Sequence, residues 1–133
     1  MLGEQIGEFR GKRTGRRVLS VEVGFKGEVS VEDAGTLLGI AARQIVTGWG
    51  TTRPDGSLYG ENQALVLGSD GSIATWKGLS VSKLLAGFAF SSRGAVCFST
   101  ASPKWARLDS VVAIYEAEDH AEGNTHAKFW EWK

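Results

Sequence analysis

Tyr59, Glu61 and Gln63 stand at every second position in the stretch RPDGSLYGENQALVLGSDGSIATW, residues 53–76. On an extended strand that spacing puts the three side chains on one face, together with Leu65 and Leu67. An aromatic hydroxyl, a carboxylate and an amide beside aliphatic groups suit a small-molecule pocket, which needs apolar walls and a few placed polar groups. The opposite face (Leu58, Gly60, Asn62, Ala64 and Val66) is small and mostly apolar, the kind of surface that fills a barrel for stability alone. The expectation is that the Tyr59 face lines a lumen, with Glu61 as its candidate catalytic carboxylate. Away from bulk water a carboxyl group is harder to ionise unless a cation such as Arg53, or amide donors, compensates. Uncompensated, it works as a general acid or base; compensated, it orients the polar end of a ligand. The neighbouring strands complete a candidate ligand-binding set of Trp49, Arg53, Tyr59, Glu61, Gln63 and Trp76. A plain cross-strand ion pair between Arg53 and Glu61 at the rim is the competing reading.

Other residue groups support less chemistry. The basic run RGKRTGRR contains Arg10, Lys12, Arg13, Arg16 and Arg17, but no aromatic residue interleaves with them as a nucleic-acid stacking platform requires. If 4–13 and 16–23 pair through Thr14-Gly15, these charges surround a hairpin tip, where solvated cations are ordinary. Lys and Arg balance Asp and Glu at 15 each, so no net field favours nucleic acid or an anionic membrane. His120, His126 and Cys97 lack metal-ligand spacing, and the carboxylates lack EF-hand order. No metal or cofactor is expected; His126 reads as a surface or interface residue and Cys97 as a small apolar filler. There is no Gly-x-Ser-x-Gly elbow, no Gly-x-Gly-x-x-Gly and no Walker sequence. A triad assembled from remote strands stays open.

The elements that position these residues read as strands. Period-two stretches fall at about 4–13, 16–23, 26–31, 36–50, 57–68, 72–79, 86–91, 94–100, 109–118 and 124–132. Ser80–Ala86 and Val31–Leu38 are the only segments with some helical character. Asp70-Gly71 is the strongest hairpin signal, because Asp-Gly supplies the positive φ angles of tight two-residue turns. The chain has 18 glycines where average usage gives roughly nine or ten. Scattered through strands, they indicate the bends and bulges that curl a sheet. With 133 residues, 42% hydrophobic and 23% charged, residues 1–133 read as one globular domain with a real core. No membrane-spanning run and no apolar secretory segment appears, and a single cysteine fits a reducing compartment, so a cytoplasmic location is expected.

The last hairpin, 109–118 with 125–132, has no cleanly polar face. A sheet with one wet side alternates apolar and polar residues; here both sides need cover. A closed barrel covers the inside, and a second subunit meeting Trp130 and Trp132 would cover the outside. A homo-oligomer, most simply a dimer, is expected. The alternative is that tryptophans and lysine stems cover the barrel's own exterior.

The segments RPDGSLYGENQ, DGSIATWKG and EGNTHAKFWEWK, with TASPKWARL at 100–108, resemble an uncharacterised prokaryotic family of short proteins. Its patterns include Arg-Pro-Asp-Gly-x-Leu-Tyr-Gly-Glu and Asp-Gly-x-x-Ala-Thr-Trp-x-Gly, and the likeness runs from Gly11 onward. In architecture the chain also resembles the small barrels related to allene oxide cyclase. The resemblance implies an all-β fold, a single closed antiparallel barrel of about eight strands, allene oxide cyclase-like or lipocalin-like, and usually oligomeric. In some members the lumen holds a lipid-like or polyketide-like substrate. No catalytic motif transfers residue by residue. Two functions follow as expectations: a lumen that binds a small, partly apolar or amphipathic molecule, with cyclase- or isomerase-like chemistry as its catalytic form, or a non-catalytic structural or interaction protein with a self-filled interior.

Overall fold

The computed structural model describes residues 1–133, and it is a closed, up-and-down antiparallel barrel. In chain order the strands are β1 (Leu2–Ser20), β2 (Lys26–Leu37), β3 (Ile40–Thr52), β4 (Leu58–Gly68), β5 (Ile73–Leu84), β6 (Phe90–Thr100), β7 (Val112–Asp119) and β8 (Asn124–Trp132). Each strand pairs with the next, and β8 closes on β1. Closure leaves no unpaired edge, which suits a sheet with little polar protection on either side. No helix is long and apolar enough to cross a membrane.

Three hairpins share one turn chemistry. Gly56, Gly71 and Gly123 each donate a backbone hydrogen bond three residues back, to Arg53, Gly68 and His120, and each takes a positive φ of 86°, 92° or 101°. This is a type I turn closed by a bulge glycine in the left-handed region. In the first two, the aspartate before the glycine accepts the backbone N–H of the residue after it, Asp55 from Ser57 and Asp70 from Ser72, each at 2.9 Å. The Asp70-Gly71 hairpin therefore forms where expected, but with a longer turn than the two-residue type. The two-residue turn is Leu38-Gly39, with φ of 47° and 77°, and it divides the segment 36–50 into the end of β2 and the start of β3.

Four other expectations are corrected. Thr14-Gly15 makes no hairpin: β1 runs through it with a register shift between Arg13 and Gly15, and the chain reverses at 21–25. Segments 86–91 and 94–100 are not two strands, because β6 begins at Phe90 and a short 3-10 turn, Ala86–Phe88, precedes it. Ser80–Ala86 and Val31–Leu38 lie largely in β5 and β2, where ladder pairing overrides their weak helical character. The one substantial helix is a 3-10 segment, Pro103–Ser110, absent from the expected elements. Trp105 and Leu108 share its inner face because three residues complete a 3-10 turn, and both are fully buried.

That helix closes one end of the barrel. The Trp105 indole N–H donates to the Leu37 carbonyl at 3.1 Å, and Arg107 ties the plug to Glu4 of β1 (2.7 Å) and to Glu131 of β8. Behind the plug Phe9, Leu37, Val66 and Val96 are almost wholly buried. Phe129 sits among Phe9, Trp76, Phe98 and Tyr115, with ring centroids 5.7–6.5 Å apart. The Phe9–Phe129 pair, at an interplanar angle of 89°, adds edge-to-face attraction to the burial of apolar area. The closed half of the lumen is a packed core, and the half toward loops 21–25, 53–57, 85–89 and 120–123 is hollow.

Candidate functional site

The hollow half is an open cavity of about 610 Å³, within the range of small-molecule sites. Small inward residues make the room. Gly94 faces the Tyr115 ring so closely that a Cβ there would lie 2.4 Å from it. Gly11 lies between Asp33 on β2 and Thr125 on β8 in the strand ladder, and a Cβ there would meet the Asp33 Cβ at 2.5 Å. A side chain at either position would fill the space that these polar groups occupy.

A polar floor is built on three strands. The Trp76 indole N–H donates to Gln44 Oε1 at 3.1 Å, and Gln44 Nε2 donates to Asp33 Oδ2 at 3.4 Å. Higher on the wall Asn62 Nδ2 donates to the Tyr115 hydroxyl at 2.7 Å, and the Ser82 and Ser92 hydroxyls pair at 2.6 Å. Three buried atoms in this lining have no partner: Asp33 Oδ1, Asn62 Oδ1 and Thr125 Oγ1. A buried acceptor left unmet costs about 1–3 kcal/mol, so the site carries a standing energetic demand.

Asp33 is the lumen carboxyl. Burial pushes its pKa up from 3.8 to about 6, opposed only by the Gln44 hydrogen bond. The folded chain thus holds this proton more tightly than the unfolded chain does. At low pH the group is neutral in both states and costs folding nothing; a penalty grows as pH rises from about 4 to 6 and above that reaches about 2–3 kcal/mol. Asp33→Asn is accordingly expected to raise the melting temperature at pH 8 and leave it nearly unchanged at pH 4. Equal shifts at both pH values in thermal unfolding would refute that account of the carboxyl.

Arg13 and Asp119 form a second buried pair, their side chains 8% and 6% exposed, with Asp119 at the cavity wall. Arg13 also donates to the carbonyls of His120 and Ala121, each at 3.4 Å. Burial raises the Asp119 pKa and the Arg13 guanidinium opposes that rise. Arg13 is therefore a structural cation inside the rim, not a solvated charge at a hairpin tip. The other charges of the run remain exposed, and Arg17 pairs with Glu28 at 3.0 Å.

The lumen face of β4 is the reverse of the one expected. Gly60, Asn62, Ala64 and Val66 point inward, whereas Glu61 and Gln63 are exposed and Tyr59 lies half-buried on the outer wall. The Tyr59 hydroxyl donates to Glu61 Oε2 at 3.2 Å, the Trp49 ring meets Tyr59 edge-on at 6.1 Å, and the Arg53 guanidinium lies 5.1 Å from the Tyr59 ring. Arg53 therefore caps an aromatic ring and makes no ion pair with Glu61. Of the six candidates, Trp49, Glu61 and Trp76 border the cavity, and of these only Trp76 is buried inside it. Rings from β5, β7 and β8 fill the closed end of the barrel, where the small Ala64 and Val66 of β4 pack in the same core. Because strand parity is two, one decision reverses every residue. Cys97, expected as an apolar filler, is exposed, and His126 bonds Glu8 at 2.6 Å on the outer wall. Asp33, Gln44, Asn62 and Tyr115 were not among the candidates; the available signal was Asp33 at a period-two position shared with Val29 and Val31.

No protein-family model matches the chain, and no curated protein matches it. Solved structures do. A protein of unknown function from Clostridium acetobutylicum aligns with a TM-score of 0.85 at 14% identity, over 98% of this chain and 99% of its own. A β-barrel-like protein from Acinetobacter baumannii aligns with a TM-score of 0.82 at 14% identity, over 100% and 96%. A conserved protein of unknown function from Rhodopseudomonas palustris aligns with a TM-score of 0.80 at 12% identity, over 98% and 97%. The likeness supports a fold shared with short β-barrel proteins, and not the narrower allene oxide cyclase-like resemblance. At these identities it establishes architecture, and the chain is similar in fold to small bacterial barrels.

Proposed function

We propose that the barrel binds one small, partly apolar organic molecule in the open half of its lumen. The observation that carries this reading is a cavity of about 610 Å³ whose lining includes unpartnered buried polar atoms. A barrel that merely filled itself would leave no such space, since eight strands leave an interior that side chains can fill. The closed half does fill itself, which limits the alternative structural role to that end. Val29, Val31 and Val46 supply apolar wall, and Trp76 supplies an aromatic surface beside the floor. If the bound molecule also reacts, in cyclase- or isomerase-like chemistry, the lumen carboxyl available as acid or base is Asp33 and not Glu61. An exposed free thiol at Cys97 is in keeping with a reducing, cytoplasmic setting.

N-phenyl-1-naphthylamine, a neutral probe that brightens in apolar surroundings, is expected to bind saturably at one molecule per chain. Ala117 faces the cavity, so Ala117→Trp, which puts an indole into that space, should abolish the signal with the circular dichroism spectrum intact. Absence of saturable binding in the wild type, or unchanged binding in the variant, would refute lumen binding.

A homo-oligomer, most simply a dimer, remains part of the proposal. Trp132 is 54% exposed and Trp130 half-buried on the outer face of β8, and large aromatics are enriched in interface cores. Light scattering at tens of micromolar is expected to give twice the 14.3 kDa chain mass, falling to the chain mass in Trp132→Ala. A monomeric wild type would end this reading.

A further inference from the structure

We infer that the lumen selects an amphiphile whose polar end donates hydrogen bonds, a primary ammonium above all, and that this end enters first. The inference rests on the lumen-binding reading and adds the ligand's chemistry and direction. The hydrogen-bonding inventory of the cavity is one-sided. The nitrogens of its buried side chains each already donate: Trp76 to Gln44, Gln44 to Asp33 and Asn62 to Tyr115. The unpartnered atoms are two acceptors, Asp33 Oδ1 and Asn62 Oδ1, and one hydroxyl oxygen, Thr125 Oγ1. Asp33 is 7% exposed and lines the cavity.

The charges facing that space agree with the inventory. Arg13 on β1 is bound by Asp119 on β7 and by two turn carbonyls. Arg16 also lines the cavity, but it is exposed, toward the outer end of β1. No cation contributes to the ionisation of Asp33; burial and the Gln44 hydrogen bond account for it. An ammonium or hydroxyl group that reaches Asp33 supplies the missing donor once the carboxylate turns toward it, and hydrogen bonds to an ionised carboxylate are the strong ones. A ligand carboxylate would bring acceptors to acceptors and one negative charge to another. Fatty acids are therefore the wrong class.

The opposite end of the cavity fixes the orientation. Val18, Val21 and Phe88 line it and are 72%, 71% and 64% exposed, with Phe25 beside them. Arg16 and Arg17 border the same rim, but both are exposed to water and Arg17 is paired with Glu28, so the uncovered surface there is apolar. An alkyl chain covers it, which places the tail toward the mouth and the head at Asp33.

Isothermal titration of n-decylamine, n-decanol and n-decanoate at pH 7.5, each below its micellar concentration, tests the inference with one chain length and three heads. The expected order is amine, then alcohol, then carboxylate, with amine over carboxylate by about tenfold or more. In Asp33→Asn the preference for amine over alcohol should vanish. Decanoate binding as tightly as decylamine would overturn the donor-head inference and leave lumen binding standing. Failure of all three to bind would overturn both. Decylamine bound equally well by Ala117→Trp would place it outside the lumen and refute the inference. If Asp33→Asn does not fold, the wild-type order decides by itself.

Discussion

Trp105→Ala is expected to lower the unfolding free energy by about 4 kcal/mol, the largest single effect among side chains of this barrel. The indole is fully buried and belongs to the plug that closes one end of the lumen. Truncation removes its transfer free energy and leaves a cavity against Leu37, Leu108 and the Phe9 cluster. It also strips the Leu37 carbonyl of the indole N–H, and a buried acceptor without its partner adds to the cost. For a chain of this size the melting temperature should fall by about 10–15 °C. Trp105→Phe separates the two contributions. It keeps most of the ring volume and loses only the N–H, so its cost should be nearer 1–2 kcal/mol. Thermal unfolding of both variants decides the matter. A loss in Trp105→Ala no greater than in Trp105→Phe would mean that the plug is not part of the cooperative core.

Arg13→Ala should cost about 3 kcal/mol, and the reason differs. Removing the guanidinium leaves Asp119 buried without its counter-charge, and breaking a buried pair from one side is far more costly than the pair itself is worth. The same substitution frees the turn at 120–123, because Arg13 donates to the His120 and Ala121 carbonyls. Asp119→Ala should be milder, since a freed arginine has a long stem and can reach water at the open rim. The double variant is expected to lose less than the sum of the two single losses, the signature of direct coupling. Denaturant unfolding of the four chains measures it. Strict additivity would show that the two side chains do not act as a pair in solution. A one-sided loss confined to Arg13 would instead assign its value to the turn.

The two positions illustrate how differently sequence and structure speak about charge. Arg13 sits in a run of cations that reads as a solvated hairpin tip, and nothing local distinguishes it from Arg10 or Lys12. What distinguishes it is parity. The register places Arg13 on the inner face, within reach of Asp119, which lies 106 residues away in the chain, and it places Lys12 outside. Such pairing is set by closure of β8 on β1, a contact that no local pattern encodes.

Local chemistry was enough for the fold class. Period-two alternation, glycine-rich strands, Asp-Gly turns and the lack of helical period lead to a curled antiparallel sheet, because these signals act over a few residues and the ladder merely extends them; closure with about eight strands was implied by the family resemblance. The Pro103–Ser110 plug escaped because its signal is two apolar residues three apart in a segment too short to show a period. Which face of β4 looks inward was beyond local reasoning. Both faces mix polar and apolar residues, so alternation identifies a strand and says nothing of its orientation. Only the tertiary structure decided it, by volume: Trp76, Tyr115 and Phe129 occupy the lumen from other strands, and their neighbours must be Gly60, Asn62, Gly78 and Gly94. The same crowding turned Glu61 out to water, left Asp33 as the carboxyl inside, and so moved the site from β4 to the floor shared by β2, β3 and β5.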